Sequence, residues 1–437
     1  MPDENTTLLD ARWVIPIEPA GVILEHHSIA LRGENITDLL PTTQAHERYP
    51  AARHVDLPQH ALIPGLVNLH THAAMTLMRG LADDLALMDW LKQHIWPAES
   101  KHVSRQFVQD GTLLACAEML RAGVTCFNDM YFFPDAAAQA VLQAKMRATL
   151  GVITIEFPTS YATDAEDYLR KGLEVRDQHR ADTLLSFCMA PHAPYTVSDR
   201  SFGKILTLAD QLDLPIHLHL HETEDEIRES LAQHRLRPLA RMQNLGLLGP
   251  NLIAVHMVHL TPEEIELVAE RGVHIAHCPT SNLKLASGIA PVAALTRAGA
   301  KLGLGTDSAA SNNRLDILSE TRLAALLAKG SSGDATALPA HQALAAATLG
   351  GARALGLDSR IGSLTPGKAA DIVAIDLSNL ETAPCYDVAS HLVYAAGREQ
   401  AQDDKRQGPG EQRKRSQGAG GSRRRGGHGG KLSRLWG

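Results

Sequence analysis

The sequence lacks long apolar runs, paired cysteines and an excess of basic side chains. No apolar stretch approaches the length needed to cross a bilayer, so we expect no membrane role. The five cysteines are scattered singly, without CxxC pairs, which favours reduced thiols and a cytoplasmic location. A net charge of −7 argues against nucleic acid as a partner of the main part of the chain. Residues 1–24 also lack the basic start and apolar core of a signal peptide, so secretion is not expected.

The chain has instead the composition of a globular protein, with many histidines. Of its 437 residues, 44% are hydrophobic and 21% are charged, and this length suffices for one large domain with an appendage or for two or three ordinary domains. The 22 histidines matter through their clustering, because several of them follow apolar stretches that are typical of buried strands.

Between Leu62 and about Leu364, apolar strand-like stretches alternate with amphipathic helical stretches, among them Asp110–Arg121, Phe202–Asp213 and Pro262–Arg271. Eight βα units in series predict an α/β protein with a (β/α)₈ TIM-type barrel, whose catalytic groups lie at the carboxyl ends of the strands. The eight predicted strands are Leu62–Leu69, Val124–Asn128, Ala148–Ile155, Leu184–Ala190, Ile216–His221, Leu252–His256, Val273–Cys278 and Lys301–Gly305.

Both ends of the chain read as short strands separated by turn residues, for example Ala11–Ile17, Ser28–Leu31 and Ile361–Asp376. We therefore predict that residues 59–364 form the barrel and that residues 1–58 and 365–400, from the two ends of the chain, together form a small β-sandwich domain. Residues 401–437 hold ten Lys or Arg and ten Gly, with almost no aliphatic side chains. We expect this basic tail to be disordered or frame-shifted, although Arg-rich runs such as residues 422–430 (SRRRGGHGG) also occur in RNA-binding arms.

The first candidate metal motif is the pair His70 and His72. Both follow an apolar run and are two residues apart, so a strand would direct both imidazoles to one face. Imidazole nitrogen is a common ligand of zinc and similar ions. The pair alone is a weak signal, and the prediction of a metal site depends on further ligands.

Two later strands supply further ligands. His217, His219 and His221 alternate onto one face of the fifth predicted strand, and Glu222 follows them. Asp307 follows the glycine-rich eighth strand, where a carboxylate suits a ligand or a proton acceptor, or alternatively the N-cap of a helix.

Other strand ends carry polar groups with supporting roles. His256 could orient or deprotonate a water molecule on the metal, and His192 lies in a loop that two prolines stiffen. His259, His274 and His277 suit structural roles or hydrogen bonds to ligands.

The segment Leu184–Tyr195 contains no lysine, although two-metal barrel hydrolases usually bridge their ions with a modified lysine from the fourth strand. One metal is therefore favoured. A single ion bound by three imidazoles and one carboxylate would lower the pKa of its water towards neutrality and supply hydroxide. With Glu222 as proton carrier, this chemistry suits hydrolytic deamination of an aromatic amidine carbon.

The segments 64–72 (PGLVNLHTH), 217–226 (HLHLHETEDE), 277–288 (HCPTSNLKLASG) and 304–313 (LGTDSAASNN) resemble the amidohydrolase superfamily, and within it the 5-methylthioadenosine/S-adenosylhomocysteine deaminases. The similarity extends from about Leu8 to Gln400. It implies one divalent ion, with zinc favoured over Fe²⁺ or Mn²⁺, bound by His70, His72, His219 and Asp307.

The resemblance also implies the catalytic and substrate-binding residues. Glu222 would carry a proton to N1 of adenine, while His256 and Asp307 would activate the water. Glu99 would bind the ribose hydroxyls, and His192, Glu222 and Asp307 would also contact the nucleoside, under a lid formed by Met75–Trp96. From the sequence alone, Glu99 reads as an exposed helix residue.

The predicted function is thus deamination of the adenine ring of 5′-methylthioadenosine and S-adenosylhomocysteine. The partner is a small nucleoside, and a homo-oligomer is compatible with the sequence. A related deaminase or dechlorinase acting on guanine, a pterin or a triazine is the alternative, and a non-catalytic barrel is a third, less favoured reading. The tail departs from the family, whose members continue with strands and a helix, which motivates the hypothesis of a shifted reading frame near Ala401.

Overall fold

The computed structural model describes residues 6–403 of the chain. The predicted basic tail therefore lies outside the described residues, except that Ala401–Asp403 form a short strand. The strands are β1 Thr6–Val14, β2 Leu24–Arg32, β3 Asn35–Pro41, β4 Arg53–Pro64, β5 Leu66–Thr71, β6 Val124–Asp129, β7 Arg147–Thr154, β8 Leu185–Pro191, β9 Ile216–Leu220, β10 Leu252–His256, β11 His274–His277, β12 Lys301–Leu304, β13 Ile372–Asp376 and β14 Ala401–Asp403.

The α-helices are α1 Thr42–Arg48, α2 Leu87–Trp90, α3 Trp96–His102, α4 Arg105–Arg121, α5 Pro134–Ala144, α6 Ala165–His179, α7 Asp199–Leu212, α8 Glu224–His234, α9 Pro238–Asn244, α10 Pro262–Glu270, α11 Pro279–Lys284, α12 Val292–Arg297, α13 Ile317–Ser332, α14 Ala340–Ala345, α15 Gly351–Ala354 and α16 Val388–Tyr394. Short 3₁₀ helices span Ala73–Met78 and Leu380–Thr382, and π-helical turns span Leu91–Ile95 and Ala346–Gly350. Within the described chain, no helix is both long and apolar enough to cross a bilayer.

Eight parallel strands, β5 to β12, form the predicted barrel in sequence order. The two edge strands β5 and β12 meet through Asn68 rather than through a continuous ladder. Its side chain accepts the backbone N–H of Thr306 at 3.0 Å and donates to the Thr306 hydroxyl at 2.8 Å. Just beyond, the backbone N–H of Asp307 donates to the carbonyl of His70 at 2.9 Å. This closure brings the ends of the first and last barrel strands together.

The predicted first barrel strand, Leu62–Leu69, is in fact two strands that belong to different sheets. Gly65 separates them, and a Cβ atom there would lie 2.0 Å from the Thr125 hydroxyl oxygen. Pro64, with no N–H to donate, ends β4. The residues on both sides of Gly65 are apolar because both strands are buried there. Composition therefore did not reveal that β4 ends and β5 begins at this glycine.

Both chain ends contribute to a second sheet, in the order β14-β13-β4-β1-β2-β3. The sequence predicted a sandwich of two sheets, but these strands form one hydrogen-bonded sheet. Strand β1 pairs with β2 on one side and with β4 on the other, and so joins the strands on its two sides into a single sheet. An apolar cluster that includes Leu9, Ile29 and Leu62 lies against it. Strand β4 crosses the boundary predicted at residue 58.

Side-chain caps explain where several barrel helices begin. The Ser104 hydroxyl accepts the N–H of Phe107 at 3.2 Å, so α4 begins at Arg105, five residues before the predicted start. The Thr223 hydroxyl caps α8 directly after β9, which places this helix immediately behind Glu222. The barrel core includes fully buried Phe127 and Phe202.

Candidate metal centre and active-site cavity

Three imidazoles and one carboxylate converge at the carboxyl ends of the barrel strands. His70 and His72 come from β5 and the residue after it, His219 from β9, and Asp307 from the loop after β12. The Nε2 atoms of His70 and His219 are 3.2 Å apart. Asp307 Oδ1 lies 3.3 Å from His70 Nε2 and 3.4 Å from His72 Nε2. The structure thus brings together all four ligands that the resemblance implied.

Hydrogen bonds at the Nδ1 atoms of the three imidazoles leave their Nε2 atoms facing the centre. His72 Nδ1 lies 2.5 Å from the Met130 carbonyl oxygen, and His219 Nδ1 lies 2.7 Å from the His192 carbonyl oxygen. A carbonyl oxygen can only accept, so both Nδ1 atoms carry the proton and both Nε2 atoms present lone pairs. His70 Nδ1 is 2.9 Å from His217 Nε2, which orients its ring in the same way.

This donor set fits a divalent cation. Lone pairs that face each other at hydrogen-bond distance, beside a carboxylate oxygen, repel one another unless a positive charge lies between them. Burial lowers the pKa of His70 to about 4 and also lowers the pKa of His72 and His219. The three rings are therefore neutral at neutral pH, which is the protonation state in which imidazole binds metal.

Asp307 is held by the backbone and by two serines. Its backbone has a positive φ of 60°, its Oδ2 accepts the Ser281 hydroxyl at 2.6 Å, and its Oδ1 accepts the N–H of Ser308 at 2.7 Å. Burial opposes ionisation, but hydrogen bonding and charge from His70 hold the pKa of Asp307 well below its usual range. The alternative prediction, that Asp307 is the N-cap of a helix, is wrong, because the next helix begins at Ile317 and is capped by Asp316.

Glu222 and His256 lie beside this centre. Glu222 Oε2 is 3.7 Å from His256 Nε2, and Asn282 Oδ1 is 2.8 Å from His256 Nδ1. Burial raises the pKa of Glu222. A buried carboxyl group with a raised pKa, next to a metal-binding arrangement, is suited to taking up and releasing a proton.

A cavity of about 430 Å³ opens above the centre, and His72, His219, Glu222, His256 and Asp307 contribute to its lining. Its walls are mainly apolar, and the segment predicted as a lid contributes part of them, including Met75, Leu87, Trp90, Leu91 and Trp96. Enclosure by apolar side chains suits an organic ring and strengthens electrostatic interactions within the site.

Glu99 lies in the wall of this cavity, on α3. The Tyr131 hydroxyl donates to its Oε1 at 2.8 Å, and burial raises its pKa to about 7. The interpretation of Glu99 as an exposed helix residue is therefore wrong. The second predicted substrate contact, His192, also lines the cavity, and burial lowers its pKa to about 3.

The chain is similar in sequence to known proteins over most of its length. The sequence pattern of the Amidohydrolase family matches residues 61–403. A protein of Saccharophagus degradans named 5-methylthioadenosine/S-adenosylhomocysteine deaminase is 48% identical, over 88% of this chain and 86% of its own length. A protein of the same name from Teredinibacter turnerae is 47% identical, over 89% of each chain. The chain belongs to the amidohydrolase family.

Solved structures agree with this assignment. The crystal structure of an adenosine deaminase from Xanthomonas campestris with bound zinc is 54% identical, with a TM-score of 0.90 over 92% of this chain and 91% of that one. Atrazine chlorohydrolase from Arthrobacter aurescens shares the fold at 22% identity and a TM-score of 0.83, over 90% and 94% of the two chains. This amidohydrolase is accordingly a metal-dependent deaminase with a TIM-barrel fold.

Of the three alternating histidines at the end of β9, His219 belongs to the centre of this amidohydrolase and His217 forms a hydrogen bond to His70, whereas His221 does neither. His221 follows the strand with a positive φ of 56°, which turns its ring away from the face shared by His217 and His219. Its Nδ1 lies 2.8 Å from the carbonyl oxygen of His259, and its Nε2 accepts the N–H of Leu239 at 2.9 Å. His221 therefore connects neighbouring segments.

The three remaining histidines are buried or packed near strand ends. His259 Nε2 is 2.7 Å from the Ser287 carbonyl oxygen. His274 is buried, and its pKa is lowered to about 4. Burial likewise lowers the pKa of His277, to about 3, and both of its ring nitrogens lack a hydrogen-bond partner within the described residues.

Sequence reasoning missed three side chains that orient functional groups. Tyr131 binds Glu99, Ser281 binds Asp307, and the Glu226 carboxylate accepts the backbone N–H groups of His221 and Glu222 at 3.0 and 2.8 Å. Two of the three could have been predicted from their positions in the sequence. Tyr131 and Ser281 follow barrel strands β6 and β11, and catalytic groups of this fold lie after the strands.

Proposed function

We propose that this amidohydrolase removes the amino group of the adenine ring in 5′-methylthioadenosine and S-adenosylhomocysteine, yielding the inosine analogues and ammonia. The observation that carries the proposal is the convergence of three neutral imidazoles and Asp307 beside Glu222, at the base of an apolar cavity. Relatives at 41–48% identity bear the name of this activity, which supports the substrate class.

We propose that His70, His72, His219 and Asp307 bind one zinc ion. When bound there, the ion would lower the pKa of a water molecule to about 7 and so supply a nucleophile at neutral pH. Two observations support zinc, namely the nitrogen-rich donor set and the zinc bound to the similar adenosine deaminase of Xanthomonas campestris. Fe²⁺ and Mn²⁺ also suit these ligands.

In this proposal Glu222 takes a proton from the attacking water and delivers it to N1 of the adenine ring. The water oxygen adds to C6 and N1 gains the first proton of that water. The second proton of the same water then passes to the amino group, the C6–N bond breaks, ammonia leaves and C6 becomes a carbonyl carbon. Burial raises the pKa of Glu222, which makes its carboxylate a better acceptor of the proton from water before that proton passes to the ring. His256 and Asp307 orient the water, and His256 is itself oriented by Asn282.

Glu99 binds the ribose. An ionised carboxylate can accept both vicinal hydroxyl groups, and Tyr131 already orients Glu99 from one side. His192, which also lines the cavity, contacts the nucleoside, while the segment Met75–Trp96 covers the sugar and its 5′ substituent. A cytoplasmic location and a homo-oligomeric state remain predictions.

The experiment is an ultraviolet assay of adenine-to-hypoxanthine conversion by the purified, metal-loaded chain. We expect turnover of 5′-methylthioadenosine and S-adenosylhomocysteine, and none of guanine, a pterin or a triazine. Turnover of one of those three rings without turnover of either nucleoside would overturn the proposed substrate class while leaving the metal chemistry in place.

A further inference from the structure

A second cluster of side chains of the types that bind metals lies at the six-stranded sheet and the helix beside it, on elements separate from the barrel. Asp10 comes from β1, His46 from α1 and His54 from β4. His46 Nε2 and His54 Nδ1 each lie 2.9 Å from the same carboxylate oxygen, Asp10 Oδ2. The two rings are nearly perpendicular, with centroids 4.4 Å apart, so their nitrogens approach that oxygen from different directions.

The carboxylate of Asp10 is held in a fixed orientation. Its side chain is buried, and its other oxygen, Oδ1, accepts the Ser28 hydroxyl at 2.5 Å, which in turn lies 3.1 Å from the Thr42 hydroxyl. Burial opposes ionisation, but the hydrogen bonds from Ser28, His54 and His46 lower the pKa of Asp10. The Ser28 hydroxyl therefore holds Oδ1, and the ionised carboxylate directs Oδ2 at the two imidazoles.

The spacing is close to what a tetrahedral ion needs. Metal–ligand bonds of about 2.0–2.1 Å at tetrahedral angles place neighbouring ligand atoms roughly 3.3 Å apart. The two observed nitrogen–oxygen distances of 2.9 Å would have to open by only a few tenths of an ångström. The two imidazole side chains are 45% and 35% exposed, so an ion can enter from solvent and water can complete its coordination.

We propose that Asp10, His46 and His54 form a second divalent-cation site, suited to Zn²⁺, Ni²⁺ or Cu²⁺. Two imidazoles and one carboxylate match the ligand preference of these ions rather than that of Mg²⁺ or Ca²⁺. The ion links two neighbouring strands of the sheet, β1 and β4, to helix α1 and so stabilises this part of the fold without entering the deamination cavity.

The test counts zinc in the full chain. After equilibrium dialysis against a fixed free-zinc concentration, we expect the wild type to hold about one more zinc per chain than the double variant His46→Gln/His54→Gln. Glutamine keeps a donor for Asp10, so the hydrogen bonds of the cluster survive. His27→Gln on the adjacent strand β2 is the matched control, because His27 bonds to the Glu25 carbonyl oxygen and not to Asp10.

Two further readouts separate this site from the barrel site. Zinc should raise the melting temperature of the wild type and of His27→Gln more than that of the double variant, whereas deamination rates should be equal in all three. If the double variant does not fold, anomalous diffraction from zinc-soaked wild-type crystals replaces it, with a peak expected beside Asp10 Oδ2. Equal zinc content in wild type and double variant, or no such peak, would show a hydrogen-bonded cluster without a cation and overturn the proposal.

Discussion

The carboxylate of Glu226 accepts the backbone N–H of Glu222 at 2.8 Å, and its second oxygen accepts the N–H of His221 at 3.0 Å. Glu226 is buried in the first turn of α8, the helix that follows the strand carrying His219. It fixes the backbone at the point where the positive φ of His221 redirects the chain. The position of the proposed proton carrier thus depends on a carboxylate that never reaches the cavity.

Replacing Glu226 with Gln should lower kcat by about 5- to 100-fold with little change in KM, because one amide N–H would then face a backbone N–H and misplace Glu222. Steady-state kinetics, metal content and melting temperature check this result. Glu229→Gln, an exposed position on the same helix, is the control and should behave as the wild type. A normal kcat in a folded, metal-loaded Glu226→Gln protein would remove the positioning role.

Replacing Glu222 with Gln should leave the metal bound but lower kcat by a factor of about 10²–10⁴, because an amide cannot accept the proton of the attacking water. Metal analysis and the ultraviolet assay on one preparation check both halves of the expectation. The matched control is Glu224→Gln, an exposed site two residues further along. Near-normal turnover by Glu222→Gln would contradict the proton-carrier role.

The affinity for nucleosides should rise with pH through about 7. Burial raises the pKa of Glu99 to about 7, so the carboxylate that accepts the ribose hydroxyls is protonated below that pH and ionised above it. KM should therefore fall as pH increases. Tyr131→Phe removes the hydrogen bond that lowers this pKa and should move the inflection to higher pH. We expect Glu99→Gln to lose the dependence, and an unchanged profile in both variants would argue against this role.

Among the described residues that line the cavity there is no lysine or arginine, whereas Glu99, Glu222 and Asp307 are present. The carboxylate of the homocysteine group would meet no cation there and would lose hydration. We expect a higher kcat/KM for 5′-methylthioadenosine than for S-adenosylhomocysteine. Phe157→Arg should raise the relative rate for S-adenosylhomocysteine, whereas Phe157→Gln should not. Equal wild-type kcat/KM values would refute this preference.

The barrel could be predicted from sequence because its buried parallel strands are apolar throughout and recur at regular intervals. The observed strands Leu252–His256 and Lys301–Leu304 match the predicted ones to within a residue. Pairings between distant segments carry no such signal. Strand β13 pairs with β4 across some three hundred residues, and the division at Gly65 depends on the Thr125 side chain, which periodicity cannot reveal.

Spacing on a strand nominated His70 and His72 as ligands of the proposed metal ion, whereas the choice of His219 over His217 or His221 came from the resemblance to the family. His70 and His72 are two residues apart, so one strand end directs both towards the same point. The positions of Glu99 and His221 could not be predicted in this way. Glu99 lies on a helix whose placement depends on tertiary packing, and the left-handed backbone at His221 breaks the alternation that the sequence suggested.

The central claim is that side chains from distant strands bind one ion above the barrel, and anomalous diffraction at the zinc edge tests it most directly. In crystals of an actively deaminating preparation, we expect a peak about 2.0–2.2 Å from the Nε2 atoms of His70, His72 and His219 and from the Asp307 carboxylate. Active crystals with no peak among these four side chains would contradict the account.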